Sequence, residues 1–137
     1  MKQITSSLDG VQDSFDNVRA QLRNYNFTLG GNWEYDHGYF DRSLDEAHKV
    51  WLRIPFQVVT GRLDGDSEST NAIVRMGTPF VLKHVYNEGL DTEANVGAYS
   101  GLINQFQAPL DPDADVEEKW AIEAADILRK VEEAYKQ

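Results

Sequence analysis

The residues best suited to chemistry lie in one short stretch. Gly30 to Arg42, "GGNWEYDHGYFDR", sets Trp33, Tyr35, Tyr39 and Phe40 beside Glu34, Asp36, His37 and Asp41. Carboxylates beside an imidazole can move protons in a cleft, and tyrosine hydroxyls near them can hold a small polar ligand or a partner. A pair such as Glu34 with Asp41 does acid/base work only where a cleft encloses it. Asp36-His37-Gly38 reads as a turn, with glycine free to take positive φ and aspartate able to cap it. Residues two apart on the flanking strands point the same way, so Trp33, Tyr35 and Tyr39 are expected on one aromatic surface. Facing a helix, that surface is core; facing solvent, it is a site. The ligand-binding candidates are Trp33, Tyr35, Asp36, His37, Tyr39 and Asp41, together with Arg53 and His84 if later strands bring those two into the same pocket.

Other chemistries find less support. His37, His48 and His84 lie far apart, and none forms the i, i+4 pair of zinc enzymes, so no metal is expected. Asp64, Asp66 and Glu68 have the odd-position spacing of a calcium loop, but Ser69 stands where glycine is needed and Arg75 where glutamate is needed. Asp111, Asp113 and Asp115 fail likewise, leading to Val116 and Ile122 at those two places. The nearest approach to a nucleophile elbow, "AYSGL", has Ala98 where the first glycine belongs. "TLGGNW" lacks the lysine of a phosphate loop and runs into strand-like sequence. No cysteine is present, which removes disulfides, thiolate catalysis and cysteine-ligated metals. No cofactor is expected, and a non-enzymatic binding or protein-interaction role leads.

Composition narrows the partners. The 137 residues are 41% hydrophobic and 11% aromatic, enough for one domain, 1–137, with its own core. A formal net charge of -10 repels phosphate backbones and anionic headgroups, so nucleic acid and membrane surfaces are poor partners. No apolar run reaches the roughly 20 residues of a membrane span, and "MKQITSSLDG" has no apolar stretch of a secretion signal. The cytoplasm is the expected compartment. The expected partner is an unidentified protein or a small molecule.

The elements that must position the candidates follow from hydrophobic period. Asp13 is expected to cap a helix of about 11 residues starting at Ser14, with Phe15, Val18, Leu22 and Tyr25 on its apolar stripe. Phe27, Leu29, Trp33 and Tyr35 then alternate as a strand that Gly30-Gly31 can bend, and Tyr39 to Leu44 return antiparallel. From Val50 to Val58 the alternation is clean: Val50, Leu52, Ile54, Phe56 and Val58 share one face, Trp51, Arg53, Pro55 and Gln57 the other. Val74, Met76, Phe80 and Leu82 alternate with Arg75, Gly77, Pro79 and Lys83 as a second long strand. Pro55 and Pro79 each call for an edge, a bulge or an unpaired N–H side. Residues 87 to 108 suggest a short helix around Tyr99, Leu102, Ile103 and Phe106. Asp115 with Glu118 marks a helix start, and Trp120, Ala124, Ile127, Leu128, Val131 and Tyr135 form one stripe of that last helix.

Taken in order, "GGNWEYDHGYFD", "LRIPFQVVTGRLD", "RMGTPFVLKHVYNEGLD" and "NQFQAPLDPDAD" resemble the YugN-like family of small bacterial proteins, over about residues 8 to 135. The resemblance implies a soluble, cytoplasmic protein of Bacillus-type bacteria and carries no activity onto particular residues. The expected fold is α+β: a bent antiparallel β-sheet covered on one face by N- and C-terminal α-helices. Two further expectations concern association. A ligand-binding regulator or enzyme would need Tyr35, Asp36, His37 and Tyr39 to converge with His84 or Arg53. A homodimer would form if Trp51 and Val59 lay on an edge strand able to pair with its copy.

Overall fold

A computed structural model describes residues 1–31, 34, 36–61, 71–84 and 115–135. The expectations for the calcium-like loop at Asp64, for the segment 87 to 108 and for Trp33 and Tyr35 lie outside the described residues. Among those described there are seven strands and two helices: β1 (Lys2–Gln3), β2 (Gln12–Ser14), α1 (Phe15–Arg23), β3 (Thr28–Leu29), β4 (His37–Ser43), β5 (Val50–Thr60), β6 (Ile73–Met76), β7 (Phe80–Lys83) and α2 (Glu118–Tyr135). All strand pairings are antiparallel. The protein is α+β, with helices near both ends of the chain packed on a sheet.

The helix α1 begins one residue later than its sequence suggests. Asp13 and Ser14 still pair with Val74 and Ile73 in the sheet, so the chain cannot coil until Phe15. Ser14 is therefore the N-cap, accepting the Asn17 N–H at 3.1 Å, while Asp13 receives the Ser14 N–H at 2.7 Å and the Asn17 side-chain amide. Phe15, Val18 and Leu22 form the buried stripe. At the other end Asn26 takes a left-handed φ of 67°, a conformation asparagine tolerates, and the Phe27 N–H reaches back to the Leu22 carbonyl. The helix α2 likewise starts at Glu118 rather than at an Asp115 cap. Glu117 and Glu118 at its start are used by lysines, Lys83 and Lys119 on the first and Lys2 on the second.

The strand β5 is the spine of the sheet. Its stretch from Trp51 to Gln57 lies beside β4, and its other side carries β7 along Val50 to Arg53 and β6 along Phe56 to Thr60. The expected long strand over 74 to 83 is thus two strands, broken at Gly77-Thr78-Pro79. The break shifts the alternation by one: Val74, Met76 and Val81 belong to the core, whereas Phe80 and Leu82 stand opposite Arg53 and Trp51 on the other face. Pro55 sits where its missing donor costs nothing. Its carbonyl takes the Gly77 N–H at 2.8 Å, so its nitrogen points at the gap between β6 and β7. This central position puts Trp51 between Ser43 of β4 and Leu82 of β7 and so takes it off any edge, while Val59 lies at the register shift between Val58 and Thr60, past the last β4 pair at Gln57.

One face of the sheet and the two helices enclose the core. Phe15 of α1, Phe40 of β4 and Phe56 of β5 meet with ring centroids 5.0 to 5.7 Å apart, and Leu52, Ile54, Val74, Met76 and Val81 surround them. From α2, Ala121, Ala124, Ile127, Leu128 and Val131 close the layer.

Tyr135, at the end of α2, brings a phenol into this layer whose oxygen is buried without a hydrogen-bond partner among the described residues. Burial, with the Asp13 charge adding to it, pushes that phenol up to about 12. The contribution of the neutral phenol is fully present below its ordinary value of 10 and is lost as pH climbs toward 12. Tyr135→Phe is expected to stabilise the protein by about 1 kcal/mol, because an orphaned buried hydroxyl is removed. The same change should shallow the loss of stability above pH 10. Urea unfolding at pH 7 and at a series of alkaline pH values checks both.

Candidate functional site

The face of the sheet turned away from the helices carries most of the sequence candidates. Residues that alternate outward on β4, β5 and the neighbouring strands fall into transverse rows there. Ser43, Trp51 and Leu82 make one row; Asp41, Arg53 and Phe80 the next. Tyr39 and Pro55 follow, with Gly77 bonded to Pro55. The last row crosses four strands as His37, Gln57, Arg75 and Gln12.

The centre of this face is an ion pair. Arg53 sends Nε and Nη2 to the two oxygens of Asp41 at 2.8 and 3.1 Å, a two-pronged contact between cross-strand neighbours. The side chains are 15% and 12% exposed, so the pair is largely desolvated. The Arg53 guanidinium also lies 4.7 Å over the Tyr39 ring, and Tyr39 meets Phe80 edge-on at 6.4 Å. Gly30 makes room for this arrangement from the edge: a Cβ there would stand 2.8 Å from Asp41 Oδ2 and 3.3 Å from the Tyr39 carbonyl. Gly30 is therefore called for by packing. It admits a carboxylate rather than a left-handed backbone.

His84 joins the same cluster. Its N–H donates to the Lys49 carbonyl at 2.7 Å, and its ring meets Trp51 edge-on at 6.5 Å. Trp51 is flanked on its other side by His48, 5.8 Å away and at a positive φ of 57°, whose carbonyl takes the indole N–H at 2.9 Å. Burial lowers the His84 pKa from its usual value, and the Arg53 charge lowers it further against an opposing pull from Asp41. The ring is neutral at pH 7.

The hairpin tip is separate. Asp36 and His37 are outside this cluster and bond to each other, Asp36 Oδ1 to His37 Nδ1, at 2.8 Å. His37 and Gly38 lie within β4, opposite Gln57 and Phe56, so the turn falls one step earlier than Asp36-His37-Gly38 and uses no positive φ at Gly38. Gln57 is four residues from Arg53 along β5, which places the tip roughly 13 Å from the ion pair at strand rise. Glu34, Asp36 and His37 are exposed, with one ligating atom each within 4.8 Å of the others. The Asp36–His37 bond engages Oδ1 and Nδ1 and leaves Asp36 Oδ2 and His37 Nε2 unused by it. Glu34 and Asp41 do not form the acid/base pair weighed above, because Asp41 is committed to Arg53.

Of the eight candidates, Tyr39, Asp41, Arg53 and His84 converge, Asp36 and His37 stand apart at the tip, and Trp33 and Tyr35 lie outside the described residues. Sequence reasoning did not single out Gln57, Arg75 or Gln12. Their only signal was outward alternation on three strands whose register no local pattern specifies.

The YugN-like family matches residues 3–135. The chain belongs to this family. It is 34% identical over 131 residues to the uncharacterized protein YugN of Bacillus subtilis (strain 168), covering 95% of each chain. Its fold is similar to the crystal structure of an uncharacterized conserved protein YugN from Geobacillus kaustophilus HTA426, with a TM-score of 0.67 over 97% of this chain and 93% of that one. At 15% identity that likeness bears on the fold alone. Among the described residues no helix of this YugN-like protein is long and apolar enough to cross a membrane.

Proposed function

We propose that this YugN-like protein is a non-enzymatic binding domain, 1–137 in a single unit, working in the cytoplasm and recognising a protein partner or small molecule on the face of its sheet opposite α1 and α2. The observation that carries the reading is the state of the ionisable groups at the centre of that face. Asp41 and Arg53 are spent on each other, and Arg53 is also held by Tyr39. Groups paired in this way shape a surface, and a carboxylate neutralised by a guanidinium is poorly placed to take a proton from a substrate. Around them the face offers Trp51, Tyr39 and His84, which pair a ring with a polar atom, and the apolar Phe80, side chains of the sort that bind through area and a few directed bonds. The net charge of -10 argues against nucleic acid as the partner.

Native mass spectrometry tests this on protein purified gently from a Bacillus-type host. A retained small molecule or partner that is lost in Tyr39→Leu and His84→Asn, with circular dichroism unchanged, supports the proposal. A retained mass indifferent to replacements along the whole face, Tyr39→Leu, His84→Asn and Arg75→Gln alike, or a turnover abolished by Asp41→Asn, overturns it.

A further inference from the structure

Where the last row of the face opposite α1 and α2 meets the turn before β2, the surface sinks into a depression of about 320 Å³. Pro55, Gln57, Arg75 and Gly77 line it from the sheet, and Asp9 and Gly10 from the turn. That volume is at the small end of ligand sites, which run from roughly 300 Å³ upward. Gly77 keeps the floor low, because a Cβ there would stand 3.0 Å from the Pro55 ring.

Arg75 is held in a particular pose. With the Gln12 amide oxygen turned toward it, Gln12 accepts from Arg75 Nη2 at 2.8 Å and Nε at 3.1 Å. A guanidinium has five N–H groups, so Nη1 and the outer hydrogen of Nη2 remain as a fork suited to a carboxylate. Arg75 is exposed and has no carboxylate partner among the described residues, in a chain with 23 acidic residues against 13 basic ones. Asp9 lines the same depression, and its Oδ2 receives the Thr78 hydroxyl at 2.6 Å. Its other oxygen is available to a donor. Opposite charges thus line one small depression, and no ion pair joins them.

We infer that this depression binds a small zwitterion of the amino-acid type, its carboxylate on the Arg75 fork and its ammonium on Asp9, with Gln57 beside the carboxylate. The inference rests on the reading of the face opposite α1 and α2 as a binding surface and gives the Gln57 end of that face a ligand class. Asp9 sets the specificity, since its charge repels a plain anion that Arg75 alone would accept.

The test is a titration of the ¹⁵N-labelled protein, followed by amide shifts, with glycine, β-alanine, 4-aminobutanoate and 5-aminopentanoate, and with acetate as the half-ligand. The expected result is saturable shifts at Gly10, Gln57 and Gly77 with at least one zwitterion, tighter than with acetate. Arg75→Gln and Asp9→Asn, both at exposed positions and both checked for an unchanged spectrum elsewhere, should each weaken that binding about ten- to hundredfold. Shifts that never saturate for any of the four, acetate equal to the best zwitterion, or affinity unchanged in both variants would each overturn the assignment. If these fail while the native spectrum still shows a retained mass dependent on Tyr39 and His84, only the ligand class falls; if both fail, so does the binding face.

Discussion

Phe40→Ala is expected to remove about 3–5 kcal/mol of stability, the range for truncating a fully buried phenylalanine. Phe40 is 1% exposed and touches both other rings of the aromatic trio, Phe15 at 5.7 Å and Phe56 at 5.0 Å. Those partners come from α1 and β5, so the lost side chain leaves a void where helix and sheet join. Neither neighbour can collapse into it easily. Phe56 is held in a strand paired on both sides, and Phe15 follows directly on the Ser14 cap. For a chain of this size, whose whole stability is expected near 5–15 kcal/mol, the variant should sit close to its unfolding threshold. Urea unfolding followed by circular dichroism measures it; a loss below about 1 kcal/mol would mean that the trio is not a packed core.

The second large effect belongs to the ion pair on the opposite face. Asp41→Leu or Arg53→Leu alone strands one largely buried charge and is expected to cost about 3–5 kcal/mol. The double variant should recover most of that loss, since two apolar side chains of similar bulk replace a pair whose desolvation offsets much of its attraction. A double-mutant cycle in urea gives the coupling directly, and additive single losses would contradict the picture. His84 supplies an independent readout. Removing Arg53 takes away a charge that holds the imidazole pKa down, so it should rise in Arg53→Leu, while removing Asp41 should lower it further. Because the folded-state value is lowered, the stability tied to neutral His84 is present above the usual 6.5 and is lost as pH falls through and below it. NMR titration of the His84 ring distinguishes the two shifts by sign.

Much of this architecture was legible before any coordinates. The stripes Phe15-Val18-Leu22 and Ala124-Ile127-Leu128-Val131 identified both helices because a period of 3.6 repeats within each element. Val50 to Val58 identified β5 and its two faces for the same local reason. What failed was information held between elements. Ser14 caps α1, rather than Asp13, because β2 is still pairing with β6 at that point. Phe80 and Leu82 change face because three residues interrupt the strand, and a slip of one residue inverts every side chain after it. The candidate site divides along the same line. Arg53 and His84 were named as possible companions of the hairpin, and they do meet Tyr39 and Asp41, but the tip residues they were to meet are several rows away. The row of His37, Gln57, Arg75 and Gln12 exists only through three separate registers, none of which any single stretch encodes.

The N-terminal strands have a consequence for how the chain assembles. Residues before α1 pair with β6 and β7 and are tied across the molecule by contacts that span 69 positions from Asp9 to Thr78, 116 from Lys2 to Glu118 and 126 from Ser6 to Glu132. During synthesis these residues therefore leave the ribosome before the strands and the helix they join, and are among the last to find their place. The hairpin of β4 and β5 can close early, whereas β1 and β2 must wait for partners made much later and bear the loop-closure entropy of joining them. Until then the far sides of β6 and β7 stay open, and the nascent chain carries its own unfinished edges.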